Sequence, residues 1–253
     1  MSNYWDEAFN SNRAVCLKNR EYYLYRTEHM NRLLEEWLPA SQVGIVLKTD
    51  LWNEAIGHDD ALGFFKTRCS KLFGIDISQE VTRAAAKNFK CSIPFKFFQG
   101  DIQHLPFADN SIDVIFSVST LDHLHEQQIV TSLREMRRVL TDNGHVIVTV
   151  DNVTYLFLRA LAYRLFSRFK KSETFDNYHP YLLAEFRNFI AESGLDLMHW
   201  TGINLLPNFT QKVYVTTDKR LLKLATQFER THLFDLLKYE LVFHLQKLRE
   251  EKQ

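Results

Sequence analysis

"FFQGDIQHLPFADNSIDVIFS", Phe97 to Ser117, reads as a short apolar strand, an acidic loop and a second apolar strand. The segments around it repeat that rhythm. Upstream, "KLFGIDIS" is a strand ending at Asp76, and "QEVTRAAAKNF" is a helix with Ser78 as its N-cap and Val81 one turn further in. Further upstream, "GIVLKTD" (Gly44 to Asp50) is a buried strand. Before it, Asn19 to Leu38 carries helix formers until Pro39 stops them. Downstream, Glu126 to Leu140 is an amphipathic helix with Ile129, Val130, Leu133, Met136 and Val139 on one face. "TDNG" is a turn with Gly144 at its strained position, and "HVIVTV" is a fifth strand. Strands alternating with helices at this spacing predict an α/β fold with a doubly wound, mostly parallel sheet.

Composition narrows the class. The chain has 253 residues, 45% hydrophobic and 25% charged, with Lys+Arg 31 against Asp+Glu 31. That balance suits a globular α/β protein and gives no global electrostatic footprint for nucleic acid. The 3 cysteines (Cys16, Cys69, Cys91) lack metal spacing. With no apolar leader and no apolar run of membrane length, the expectation is a cytoplasmic protein with unpaired thiols, no metal and no stable membrane insertion.

Two acids stand at strand ends. Doubly wound sheets bind ligands in the crevice outside the carboxyl ends of their strands. Asp76 there can accept both hydroxyls of a ribose. Asp101 can accept from an exocyclic amine while the following backbone N–H, that of Ile102, donates to a ring nitrogen. Taken singly, each acid also fits a strand-end cap or a turn.

Together, "LFGIDISQEVTRAAAKN", "FFQGDIQHLPFADNSIDVIFSVSTLDHL" and "LREMRRVLTDNGHVIVTV" resemble successive motifs of the class I S-adenosylmethionine-dependent methyltransferases, nearest the small-molecule subgroup. The resemblance is close from Gly44 to Val150 and looser through "YHPYLLAEFRNFIAESGLDLMHWTGIN" and "YELVFHLQKL". It implies a Rossmann-like, seven-stranded sheet with an antiparallel last strand. It also implies S-adenosyl-L-methionine as cofactor and a small, apolar or lipid-like methyl acceptor. The expected organisation is a single domain over 1–253, with a helical N-terminal cap (1–40), a cofactor-binding half (41–150) and lid insertions with the last strands (151–253). Carried over, Asp76 holds the ribose diol, Ile77 flanks the adenine, and Asp101 with Ile102 reads its edge. Ser117 lies near the methionine end, and Gly74 allows close backbone packing.

The opening stretch departs from the pattern. Where the family has an acid and a glycine run, this chain has Lys48-Thr49-Asp50-Leu51-Trp52-Asn53-Glu54. A glycine turn matters most for bringing main-chain amides to a pyrophosphate. S-adenosylmethionine carries a sulfonium, an ammonium and a carboxylate instead. Asp50 or Glu54 can pair with the ammonium, and Thr49 or loop amides can meet the carboxylate. The missing G-x-G-x-x-G disfavours a nicotinamide oxidoreductase. The same departure suits a catalytically silent methyltransferase-like binding protein, the alternative reading.

Methyl transfer needs a general base only for an acceptor that is protonated at working pH. His123 is the catalytic candidate, with His125 and His179 nearby in the reading, although each also fits an ordinary helix-start or surface role. The apolar stretch Tyr155 to Phe169 is expected to be a lid over the acceptor. The acceptor itself and the oligomeric state carry no signal in the sequence.

Overall fold

The computed structural model describes residues 2–16, 20–57, 60–158, 179–204, 227 and 231–247. Helices α1 (Ser2–Cys16) and α2 (Arg20–Trp37) precede strand β1 (Val43–Lys48). Short helices α3 (Trp52–Ala55) and α4 (Asp60–Gly63) lead to β2 (Cys69–Asp76), α5 (Gln79–Asn88) and β3 (Phe95–Gln99). There follow β4 (Ile112–Val118), α6 (Glu126–Val139) and β5 (Leu140–Asp151). Helix α7 opens at residue 153 and is described to 158. Helix α8 (Leu183–Ser193), β6 (Asp196–Ile203) and β7 (Glu240–Gln246) complete the fold.

The strands form one 7-stranded sheet in the order β3-β2-β1-β4-β5-β7-β6. Strands β1 to β5 pair in parallel, and β7 runs antiparallel to both β5 and β6. The expected seven-stranded Rossmann-like sheet with its antiparallel last strand is therefore present. The period-two alternation of the strands divides the core between two faces. Leu47, Ile115, Val146, Val148 and Phe243 pack with α6 and α8 on one side. Val46, Val114, Phe116, Ile147 and Val242 pack with Met30, Leu33 and Leu34 of α2 on the other. The apolar face read for α6 is the face it buries. Fully burying each large apolar side chain contributes about 1.5–3 kcal/mol, which explains why these strands are so densely apolar.

Local signals held at α5 and α8. Ser78 Oγ accepts from Val81 N at 3.0 Å, and Gly194 closes α8 at φ 76°. Elsewhere the structure corrects the expectation. In "TDNG" the left-handed residue is Asn143, at φ 60°, and Gly144 is needed instead for close approach. A Cβ at Gly144 would lie 2.8 Å from the Thr141 carbonyl oxygen. The stretch lies within β5, at a register irregularity against β4, and Asn tolerates the left-handed region there because its short side chain bonds locally. The helix expected over Ala61 to Cys69 is divided into α4 and a 3-10 turn, Phe64–Thr67. Most of the lid stretch, and most of "KRLLKLATQFERTHLFDLL" (Lys219 to Leu237), whose sequence also reads as a helix, lie outside the described residues; its last part, His232–Leu237, is a 3-10 helix.

Candidate functional site

Strand order reverses between β1 and β4: from β1 the chain builds outward through β2 and β3, and from β4 through β5. That switch point opens a crevice at the carboxyl ends of the strands, where Thr49, Asp76 and Ser117 lie.

The glycine-free loop is folded around a charge cluster. Lys48, fully buried at the end of β1, places its Nζ 2.6 Å from Glu54 Oε2 and 3.3 Å from Asp50 Oδ2, and bonds the Asp50 carbonyl. Burial opposes the Lys48 charge, but Asp50 and Glu54 outweigh it and raise its pKa. Glu54 is pushed up to about 7, by burial first and by Asp50, against the pull of Lys48. Two carboxylates thus share one ammonium, a surplus of negative charge in a buried place. Asp50 Oδ1 accepts from Trp52 N at 3.0 Å and so starts α3.

Asp76 extends the cluster. Its carboxylate accepts from Leu51 N at 3.0 Å and from Ser78 N at 2.8 Å, joining the β1 loop to the head of α5. Burial, with Asp50 beside it, pushes its pKa up to about 7 despite those bonds. Each oxygen keeps a lone pair for a further donor. Gly74 is where the loop rests: a Cβ there would lie 2.6 Å from Leu51 Cδ2 and 2.7 Å from Phe97 Cδ1.

Asp101 follows β3. Its Oδ1 accepts from Gln103 N at 2.9 Å, and Gln103 Nε2 lies 3.2 Å from Oδ2, while Ile102 is buried beside it. Ile77 is half-buried, and its carbonyl accepts from Gln99 Nε2 at 3.0 Å. Asp50, Asp76, Gly74 and Thr49 are thereby gathered at the ends of β1 and β2. Asp101 and Ile102 stand at the neighbouring end of β3, and Ser117 within the end of β4.

Buried polar atoms without a hydrogen-bond partner among the described residues include Thr49 Oγ1, Glu54 Oε1, Ser117 Oγ and Asp122 Oδ1. Such atoms cost about 1–3 kcal/mol each when left unmade. They sit at the carboxyl end of β1, in the loop after it, near the end of β4 and in the turn after that strand. A ligand bearing polar groups fits there: carboxylates for an ammonium and a diol, and hydroxyls for a carboxylate. A pyrophosphate would meet the same carboxylates and be repelled. The residues present fit the expected cofactor.

Helix α1 covers this edge. Asp6 bonds Ser78 Oγ and accepts from Glu80 N at 3.1 Å, Phe9 packs edge-on to Trp52, and Trp5 packs edge-on to His123 with centroids 4.7 Å apart. His123 is half-buried there. His125 and His179 meet ring to ring at 4.6 Å. Sequence reading missed Glu54 as the main partner of Lys48, because only the fold of α3 turns position 54 back toward position 48. It missed Asp122 because nothing in "TLDHL" marks that acid as buried. No helix among the described residues is long and apolar enough to cross a membrane, and no metal-binding group was found among them.

Comparison with known proteins finds methyltransferases. Residues 55–148 match a family model described as a methyltransferase domain; the match begins after β1 and the glycine-free loop. The methyltransferase GfsG of Streptomyces halstedii is 28% identical over 225 residues, covering 81% of this chain and 75% of that protein. Among solved structures, a Haloferax volcanii chain described as a methyltransferase, in complex with the Trm112 methyltransferase activator, is 20% identical. The match covers 95% of this chain and 98% of that one, with a TM-score of 0.62. An S-adenosylmethionine-dependent methyltransferase of Thermotoga maritima is 16% identical over 98% and 100% of the two chains, with a TM-score of 0.61. At these identities the two structures speak for the fold.

Proposed function

We propose that the chain is a class I S-adenosylmethionine-dependent methyltransferase that takes S-adenosylmethionine as its cofactor and methylates a small, apolar or lipid-like acceptor; the methyltransferase-domain match over residues 55–148 and the 28% identical methyltransferase support this reading. The observation that carries the site assignment is the convergence of Asp50, Glu54 and Asp76 at the switch point, around a buried Lys48. In this reading the surplus carboxylate charge receives the cofactor's ammonium, and Asp76 holds the ribose diol. Asp101 and Ile102 read the adenine edge and Ile77 flanks it. Thr49 and Ser117 meet the methionine end, Gly74 seats Leu51 under the loop, and His123 stands at the acceptor's entrance. When bound, the cofactor supplies an already activated methyl group, so alignment and exclusion of water are the main tasks left to the chain.

An apolar acceptor is supported by the acceptor side of the edge. Phe157 and Leu158 of α7, Leu182 before α8, and Leu236 and Leu237 before β7 all follow or precede strand ends there, and all are exposed. Helix α7 is the start of the proposed lid. The single-domain organisation, with an N-terminal cap, belongs to the same reading and is supported by the packing of α1 against α3 and α5 and of α2 on the sheet. So does a cytoplasmic setting, supported by the free thiols of Cys69 and Cys91.

The second reading, a silent binding protein, is favoured by one observation: Leu51 and α3 fill the place of the glycine turn. Isothermal titration with S-adenosylmethionine, its demethylated product S-adenosylhomocysteine, and NAD separates the two. Binding of the first two, lost in Asp76→Ala, is the expected result. No binding of any of them overturns the cofactor assignment and leaves the silent reading.

A further inference from the structure

Asp122 lies in the 3-10 turn Leu121–His123, immediately after β4, and is 1% exposed. Its own main-chain amide and that of Asp151 favour its ionised form, against the burial that opposes it. Oδ1, in contrast, has no hydrogen-bond partner among the described residues. The turn is held in place from outside, since His179 N donates to the Asp122 carbonyl at 2.7 Å and Tyr181 Oη donates to the Leu124 carbonyl at 2.7 Å. A buried carboxylate with an unpartnered oxygen is costly to keep unless something uses it.

Its position says what that is. If the ribose and adenine lie against Asp76 and Asp101 on the β2–β3 side, the methyl end must point across the switch point toward β4. The acceptor then approaches from the β4–β5–β7 side, where Asp122 is. We infer that Asp122 is the proton acceptor for a hydroxyl-bearing methyl acceptor, with Oδ1 facing the reacting centre; this rests on the cofactor site proposed above. A hydroxyl is a poor nucleophile until its proton is taken, whereas a neutral amine attacks without help. The hydroxyl proton passes to Asp122 Oδ1 as the oxygen lone pair forms the bond to the methyl carbon. The electron pair of the broken methyl–sulfur bond stays on sulfur as a neutral thioether, and the new carboxylic acid later returns its proton to solvent.

The surroundings suit the task. Burial, which the neighbouring Glu240 reinforces and Arg26 opposes, pushes Asp122 up to about 7, where a base changes state under working conditions. Glu240 is itself occupied by the Arg26 guanidinium, Nε to Oε1 at 2.8 Å and Nη2 to Oε2 at 2.6 Å, and by Asn204 Nδ2 at 3.0 Å. Asp151 on β5 accepts from Tyr239 Oη at 2.6 Å. His123 follows in the chain with its ring against Trp5, and His125 and His179 lie just beyond the turn. The proton-accepting role thus moves one residue back from His123.

The test needs no knowledge of the acceptor. S-adenosylmethionine and S-adenosylhomocysteine share every contact except those at sulfur, so the titrations of Asp76 and Glu54 cancel in the ratio of their Kd values. A carboxylate facing the sulfonium favours the cationic ligand only when ionised. From about pH 5.5 to about pH 7.5 the preference of the wild-type protein for S-adenosylmethionine should therefore rise about tenfold. It should stay flat in Asp122→Asn, which keeps the shape of the side chain. A flat ratio in the wild-type protein, or a rise that persists in Asp122→Asn, overturns the inference. Failure of both ligands to bind the wild-type protein instead removes the cofactor site on which it rests.

Discussion

Lys48 Nζ stands 2.6 Å from Glu54 Oε2, and neither side chain reaches solvent. Six residues apart in sequence, they meet because α3 turns the chain back over the end of β1. Removing one partner of a buried pair strands the other charge, at a cost of about 3–5 kcal/mol. Lys48→Met should therefore destabilise the protein by about that amount in urea unfolding at alkaline pH, where Glu54 is ionised. Glu54→Gln should cost less, since Lys48 keeps Asp50. The double variant should recover part of the Lys48→Met loss, and simple additivity of the two single changes would show that the pair is not coupled.

Gly74 is a second point where the loop depends on the sheet. With a Cβ placed 2.6 Å from Leu51 Cδ2, Gly74→Ala must push Leu51 away, and with it the Leu51 N–H that bonds Asp76. Overpacking of this kind costs about 1–3 kcal/mol. Thermal unfolding should show the loss, and affinity for S-adenosylhomocysteine should fall with it. Unchanged stability would mean that the loop has room to spare and that Gly74 seats nothing.

The fold was legible because its signals are local and repeated. Ser78 caps α5, Gly194 closes α8, and the apolar alternation of "DVIFSV" and "HVIVTV" divides cleanly between the two faces of the sheet. The site was legible only in its frame. Asp76 and Asp101 were placed by position at strand ends, a rule of topology. What Lys48, Glu54 and Asp122 do depends on burial and on partners far along the chain, such as Glu240 and Asp151, and no spacing in the sequence announces either. The same limit explains Asn143: a stretch with two flexible residues does not say which one takes the left-handed conformation.

A row of histidines crosses the sheet on β5, β7 and β6. His145 Nδ1 lies 2.9 Å from His244 Nε2, and His199 stacks on His244 with centroids 5.6 Å apart. Burial, with His145 and His199 adding to it, lowers His244 from 6.5 to about 4. The unfolded chain therefore takes up this proton first as pH falls. Stability contributed by neutral His244 is complete above 6.5 and is lost progressively down to about 4, by up to about 3 kcal/mol. Glu54, Asp76 and Asp122 have raised values and act with the opposite sign, gaining stability as pH falls through 7. The clean measurement is thus the difference between wild type and His244→Leu in urea unfolding across that range. A difference that does not change with pH would show that His244 titrates alike in the folded and unfolded chain.

Asp101 offers a prediction about recognition with little effect on folding. Its carboxylate bonds Gln103 in a local turn, so Asp101→Ala leaves the strands and helices intact. If it accepts from the adenine amine, the wild-type protein should bind S-adenosylhomocysteine more tightly than S-inosylhomocysteine, in which a carbonyl replaces that amine. The carbonyl would face a carboxylate, acceptor against acceptor, so the discrimination should be worth about 1–3 kcal/mol, or about five- to 150-fold in Kd. Asp101→Ala should erase most of it by weakening the adenine ligand while sparing the inosine one. Equal binding of the two ligands by the wild-type protein would take Asp101 out of the adenine site and leave it as the turn residue its bonds to Gln103 already make it.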